Sequence, residues 1–151
     1  MLGNRIEDPG GVEGPPGAVE GLGLLDVDTV LRGDKVLQRV RGRVAESGAA
    51  FEGYEMHVGR SQGPAMSRPF LTLDPGIPDG AVSSDGRIAG AYVHGLFNSP
   101  EPRAALLSLF GRVSNALDQN AVVEKALDDV AAALERALDV ESILRIAKSP
   151  A

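Results

Sequence analysis

The 151-residue sequence contains no cysteine and no tryptophan, has two histidines, and is only 4% aromatic. Without a thiol the chain forms no disulfide, no thiolate metal site and no cysteine nucleophile of its own. The missing thiol fits either redox compartment. With so few aromatics, the core is expected to be built from Val, Leu, Ile and Ala. No apolar run approaches the roughly 20 residues of a membrane span. The opening MLGNRIEDPGG lacks the apolar stretch of a signal peptide. Basic residues form no stripe, and 21 acidic side chains against 15 basic ones give a net charge of -6, which argues against nucleic acid as the main partner. A cytoplasmic setting, with no membrane and no nucleic acid, is the default expectation. What is present, 43% hydrophobic and 24% charged residues, describes a globular chain long enough to bury one core.

Composition shifts near residue 100. All 19 glycines lie between Gly3 and Gly111, and nine of the ten prolines lie at or before Pro102. The reading is a strand- and turn-rich part over 1–100 and a helical part over 101–149 of the same α/β domain. Asp8 to Gly23 reads as a loop. Its spaced glycines follow no apolar strand and open no helix, so they meet no phosphate-binding fingerprint. Strands are expected over Leu22 to Val27, over Lys35 to Val44 (at an edge or half exposed) and over Phe51 to Gly59. Along the last of these, Tyr54, Met56 and Val58 share an apolar side, with Glu55 and His57 together on the other. Ser83-Ser84-Asp85-Gly86 marks a hairpin turn. Asn98 or Ser99 is placed to cap a helix from about Pro100. Val123, Leu127, Val130, Leu134 and Leu138 mark a helix over Gln119 to Leu138, and Glu141 to Ala147 a last short one.

Both histidines sit at ends of expected strands, His57 near the end of Phe51 to Gly59 and His94 after Arg87 to Val93, the arm that the Ser83 to Gly86 turn joins to Ala81-Val82. His94 precedes Gly95, a position where α/β folds place catalytic groups; a hydrogen-bonded surface histidine has the same sequence appearance. Gly59-Arg60-Ser61-Gln62-Gly63 fits the G-x-S-x-G pattern, and Asp85 and His94 follow in the order of a serine hydrolase. However, Gly63-Pro64 and Pro69 break the helix that such an elbow requires. The 37 residues between His57 and His94, even with Glu55 nearby, single out no metal site. Asp128 and Asp129 read as a solvated helix face.

Taken together, GLGLLDVDTVL (Gly21 to Leu31), FEGYEMHVGRS (Phe51 to Ser61), DGAVSSDGRIAG (Asp79 to Gly90), AYVHGLF (Ala91 to Phe97) and LERALDVESILRIA (Leu134 to Ala147) resemble the C-terminal part of the cobyric acid synthase family. The similarity lies in its glutamine amidotransferase domain of the cobalamin-synthesis type. The resemblance implies the C-terminal portion of a class I amidotransferase-like (flavodoxin-like) α/β domain, with strands and hairpins followed by a helical tail. It also implies His94 as catalytic histidine, partnered by a cysteine that attacks the glutamine side-chain amide. Tyr54, Glu55 and His57 lie in the second family motif, as possible walls of the site; His57 stays open between that role and a structural hydrogen bond.

Two departures qualify this. Most class I glutaminases carry a glutamate two residues after the histidine, where this chain has Leu96. The family's nucleophile precedes a sequence like Gln-Met-Leu-Gly, whereas this chain begins Met1-Leu2-Gly3. The expectation is a partial cobyric acid synthase, a fragment lacking the cysteine and the ATP-dependent synthetase domain, with no glutaminase activity alone. Glutamine is the expected substrate. ATP and magnesium are implied only for the missing domain, as is the corrin precursor, adenosylcobyrinic acid a,c-diamide. The alternatives are a non-catalytic interaction module or relic of a split glutaminase and, less favoured, a Ser61/Asp85/His94 hydrolase. A chain cut from an α/β domain is also expected to leave unpaired strand edges, and so to be marginally stable or to self-associate.

Overall fold

A computed structural model describes residues 1–115 and 117–148, so Ala116 and Ser149 of the expected helical part lie outside the described residues. In chain order the elements are β1 (Arg5–Asp8), β2 (Gly17–Glu20), β3 (Asp28–Val30), β4 (Val36–Val44), β5 (Ala50–His57), β6 (Arg60–Gln62), a 3-10 turn (Pro64–Ser67), β7 (Leu71–Leu73), β8 (Ile77–Asp79), β9 (Ala81–Val82), β10 (Ala89–Gly90), β11 (Val93–His94), α1 (Pro100–Ser108), α2 (Gln119–Ala137) and α3 (Val140–Lys148). This is a mixed α/β chain, strands first and helices last.

The strands form two sheets and a hairpin. One sheet has the order β2-β1-β3-β6, with β1 and β3 parallel. The other, β11-β5-β4-β7-β8, is antiparallel throughout. The hairpin pairs β9 with β10 across the expected Ser83 to Gly86 turn. There Asp85 accepts the Ser83 hydroxyl at 2.6 Å and the Arg87 amide at 3.1 Å. These two bonds, the Ser83 one first, hold its carboxyl below the usual carboxylate range.

Burial is concentrated in two clusters. Val44, Phe51, Leu71, Leu73 and Leu96 form the first, with Leu106 of α1 packed against it. Leu25, Val27, Ala65 and Ala81 form the second. Phe51 aside, these are the aliphatic residues that the aromatic-poor composition implies.

Two local expectations differ from the structure. Leu22 to Val27 is not a strand. Gly23, at φ 63, interrupts it, and Leu24 and Leu25 both donate to the Leu2 carbonyl, at 2.8 and 2.9 Å. The segment is a loop that drops Leu25 and Val27 into the second cluster while Leu22 and Leu24 stay exposed. Apolar character reported burial for Leu25 and Val27 only, and it did not report backbone pairing. Second, Asp8 to Gly23 is not all loop. The Asp8 carboxylate accepts from the Val12 and Glu13 amides at 2.7 and 2.9 Å. That turn returns the chain along β1 as β2. By contrast, β4 is half exposed as expected: β5 pairs along it, whereas β7 flanks only Gly42 to Val44, so Val36 to Arg41 have no strand beside them on that edge.

The helices follow their sequence signals closely. Ser99 is the N-cap of α1, with proline in the first turn and no side-chain capping bond. Asp118 caps α2, accepting from Asn120 and Ala121. The apolar stripe of α2 forms at the expected period, yet Val123, Leu127, Val130 and Leu134 are all exposed. No described helix is long and apolar enough to cross a membrane.

Candidate functional site

The site is organised along β5. Alternation sends Phe51, Gly53, Glu55 and His57 to one side and Glu52, Tyr54 and Met56 to the other. Glu55 and His57 do share a side, as the spacing implies, but that side is the covered one. Phe51, only 3% exposed, faces the first cluster, whereas Tyr54 is 42% exposed. The expected apolar side is therefore the open one. A single strand's pattern does not reveal on which side of the sheet the core is built.

On the covered side, His57 Nε2 donates to Glu55 Oε1 at 2.7 Å, since a carboxylate only accepts. Gln38 Nε2 donates to the other Glu55 oxygen at 2.8 Å. The His57 ring stacks on Tyr92, with centroids 4.6 Å apart. The Tyr92 hydroxyl meets Ser61 Oγ at 2.8 Å, and Ser61 meets Thr29 at 2.7 Å. Thr29, Glu55, His57, Ser61 and Tyr92 wall a cavity of about 510 Å³ whose apolar side includes Leu2, Leu25 and Val27. Asp79 lines it too. Burial pushes the Asp79 carboxyl above the usual range and the Glu55 charge adds to this; a Gly80 backbone bond and His57 oppose it. His57 Nδ1 and Asp79 Oδ2 are buried without a protein partner.

His94 lies on the other side. Register sets it opposite Tyr54, and the two rings stack with centroids 5.0 Å apart and planes 8° from parallel. Two glycines make this possible. A Cβ at Gly53 would stand 2.3 Å from the His94 carbonyl oxygen, so only glycine lets β11 come this close. Gly95, at φ 82, turns the chain directly after the histidine. Leu96 is 5% exposed and belongs to the first cluster. The position where most class I glutaminases carry a glutamate is thus occupied by core. A bend at Tyr92 turns that ring toward His57, so Tyr92 and His94, two apart, serve opposite sides of β5.

The structure joins Glu55 to His57 and Tyr54 to His94, but sets the two pairs on opposite sides of one strand. It does not assemble Ser61, Asp85 and His94. Ser61 is engaged by Thr29 and Tyr92, Asp85 by its own turn, and the residues after Gly63 form only a 3-10 turn. The serine-hydrolase reading has no geometric support. Among the described residues, no group of three or more His, Cys, Asp or Glu side chains is placed to hold a metal ion. Sequence reasoning missed Gln38, Asp79 and Tyr92. Tyr92, inside the AYVHGLF motif, was findable there; Asp79 carried no local signal, since its role arises from burial.

A profile of the CobB/CobQ-like glutamine amidotransferase domain matches residues 1–102. The chain is 58% identical over 147 residues to a cobyric acid synthase of Caulobacter sp. (strain K31), covering 97% of this chain and 30% of that protein. Cobyric acid synthases of Bradyrhizobium sp. (strain BTAi1) and Jannaschia sp. (strain CCS1) are 51% and 50% identical over 99% and 97% of the chain, each again matched over 30% of its length. The chain thus spans about 30% of the length of these curated relatives.

Proposed function

The chain belongs to the CobB/CobQ-like glutamine amidotransferase family, and from that premise we propose that it is the His94-bearing part of a cobyric acid synthase glutaminase. The observation that carries the reading is the placement of His94. Within the matched residues its imidazole stands exposed at a strand end, steadied by the Tyr54 ring, on a face open to an incoming group.

Glutamine is the substrate in this reading. A thiol supplied by another stretch of polypeptide gives its proton to His94, and the thiolate adds to the side-chain amide carbon. The tetrahedral adduct collapses with cleavage of the C–N bond, and the nitrogen leaves as ammonia with the proton from His94. Water then adds to the thioester, with His94 accepting its proton, and the thiol and glutamate are regenerated. With Leu96 buried, orientation of the imidazole falls to the Tyr54 stack. Alone, the chain releases no ammonia.

In this reading the ammonia serves to amidate corrin carboxylates. The corrin precursor, ATP and magnesium belong to the remaining part of the enzyme. A second reading, a non-catalytic module that docks on a thiol-bearing subunit, draws on the exposed apolar stripe of α2.

The test is reconstitution. The chain is produced together with the remaining part, about 70%, of the Caulobacter relative, and ammonia release from glutamine is followed. Release is expected only from the mixture, and His94→Ala abolishes it. Release by the chain alone, or by the mixture carrying His94→Ala, overturns the proposal. Complex formation without release supports the docking module.

A further inference from the structure

The two C-terminal helices are amphipathic, yet neither buries a residue. In α2, Val123, Leu127, Val130 and Leu134 recur at spacings of 4, 3 and 4, along one helical face. In α3, Val140, Ile143, Leu144 and Ala147 share a face in the same way. Apart from Ala132 and Ser142, every described residue of the two helices is exposed, and neither of those two lies on an apolar stripe. The start of α2 is tied to the preceding part of the chain. There the Gln119 amide donates to the Asn98 carbonyl at 3.2 Å, and Arg103 of α1 donates to the Leu117 carbonyl.

Helices in proteins draw most of their stability from burying an apolar face. The local support here is small. Asp118 caps α2, and Lys125 pairs with Asp129 at 2.8 Å in solvent. With nine residues, α3 is shorter than the roughly 12–15 at which even a good isolated helix is marginal. The stripes therefore need a cover, and among the described residues none provides it.

The relatives indicate what the cover is. The amidotransferase profile ends at residue 102, whereas the match to the Bradyrhizobium synthase takes in 150 residues of the chain, and so both helices. The helices thus belong to what these synthases have beyond the amidotransferase domain, and about 70% of each synthase lies outside this chain. A second copy of the chain is a poorer cover. The 19 residues of α2 make a helix about 28 Å long and about 10 Å wide. A seam between two copies covers about 280 Å² a side, against about 800 Å² a side in a stable interface. A groove encloses more of a helix than a single facing helix does. We propose that α2 and α3 form a docking arm whose apolar faces seat in an apolar groove on the remaining part of the synthase, and that this contact is what stabilises the two helices. The proposal rests on reading the chain as one part of a cobyric acid synthase, and not on the role of His94.

The probe is the remaining part of the Caulobacter relative, made as a separate polypeptide, and the first readout is its Kd for the whole chain. Leu127→Glu with Leu134→Glu raises Kd by about tenfold or more. Both leucines lie outside the two buried clusters, so the strand-rich part keeps its fold. Asp128→Asn with Glu135→Gln, on the polar side of α2, leaves Kd within about twofold. Because the contact is apolar, raising salt from about 50 to about 500 mM changes Kd by less than about threefold. The second readout needs no substitution. In hydrogen–deuterium exchange of the wild-type chain, amides of 119–148 exchange fast alone and slow by about tenfold or more when the probe is added.

The proposal is overturned if the leucine substitutions leave Kd unchanged, if a complex forms without slowing exchange in 119–148, or if no complex forms. A dimer of the chain alone that Leu127→Glu with Leu134→Glu dissociates also overturns it, since a second copy is then the cover. Docking through the helices without ammonia release would sink the glutaminase reading and leave the surface standing. Ammonia release that reaches half its maximum at the same probe concentration with and without the leucine substitutions would do the opposite.

Discussion

Replacing Gly53 with alanine is the sharpest single perturbation of the His94 strand. The added Cβ would lie 2.3 Å from the His94 carbonyl oxygen and 3.1 Å from Val93 Cγ1. Relief to even 3.0 Å, a separation that real Cβ atoms reach, requires β11 and β5 to part by about 0.7 Å. The obstructing atom is backbone, so no rotamer change relieves it. The β11–β5 ladder has only two residue pairs, Val93 with Glu55 and His94 with Tyr54, so it has little to resist the strain. Overpacking of this kind costs about 1–3 kcal/mol, or about 2–4 °C of melting temperature per kcal/mol for a chain of this size. The local effect is larger than the global one. The Tyr54–His94 stack is lost, and a displacement near 1 Å at the proposed general base costs up to about 100-fold in rate. The assay is proton NMR of the His94 ring, shifted upfield by Tyr54 in the wild type, combined with urea denaturation and ammonia release in the reconstituted mixture. The reasoning is refuted if Gly53→Ala keeps the upfield shift and the wild-type midpoint.

Three further outcomes follow from the covered side. Leu71→Ala empties a fully buried position in the first cluster and lowers stability by about 2–5 kcal/mol, read from denaturant midpoints; a loss below about 1 kcal/mol would contradict its packing. Glu55→Ala removes the acceptor of both His57 and Gln38 and costs about 1–3 kcal/mol, with Glu55→Gln losing less because one oxygen remains. Asp79 titrates above its ordinary value of 3.8 when folded, so the folded chain keeps a proton that the unfolded chain releases as pH climbs past that value. Its stabilising contribution is present below about pH 3.8 and is lost as pH rises through the folded pKa. Asp79→Asn, which cannot ionise, therefore gains stability relative to wild type at about pH 7 compared with about pH 4; equal differences at both pH values would reject the buried-carboxyl argument.

The two sides of β5 show how a site is divided between local pattern and tertiary arrangement. The strand period of 2 by itself places Glu55 and His57 together, and their hydrogen bond follows from that. The same period makes Tyr54 and Met56 look inward. They face outward because β4, β7 and α1 contribute Val44, Leu71, Leu73 and Leu106 to the opposite side. The Leu22 to Val27 segment shows the same division, since its buried leucine and valine belong to a loop plugging a cluster and not to a ladder.

Composition and motif order alone established the α/β character, the helical tail with its long α2, the Ser83–Gly86 hairpin, the family, and His94 as the residue of interest. These are readable because turn chemistry, helical period and sequence identity are local properties of the chain. Only the tertiary structure decided that His94 stacks on Tyr54 across a glycine, that Leu96 is core, that Asp79 joins Glu55 and His57 at one cavity, and that His94 stands on the opposite face. Those facts depend on strand register and on which side of a sheet is covered, and both are fixed by contacts between residues far apart in sequence.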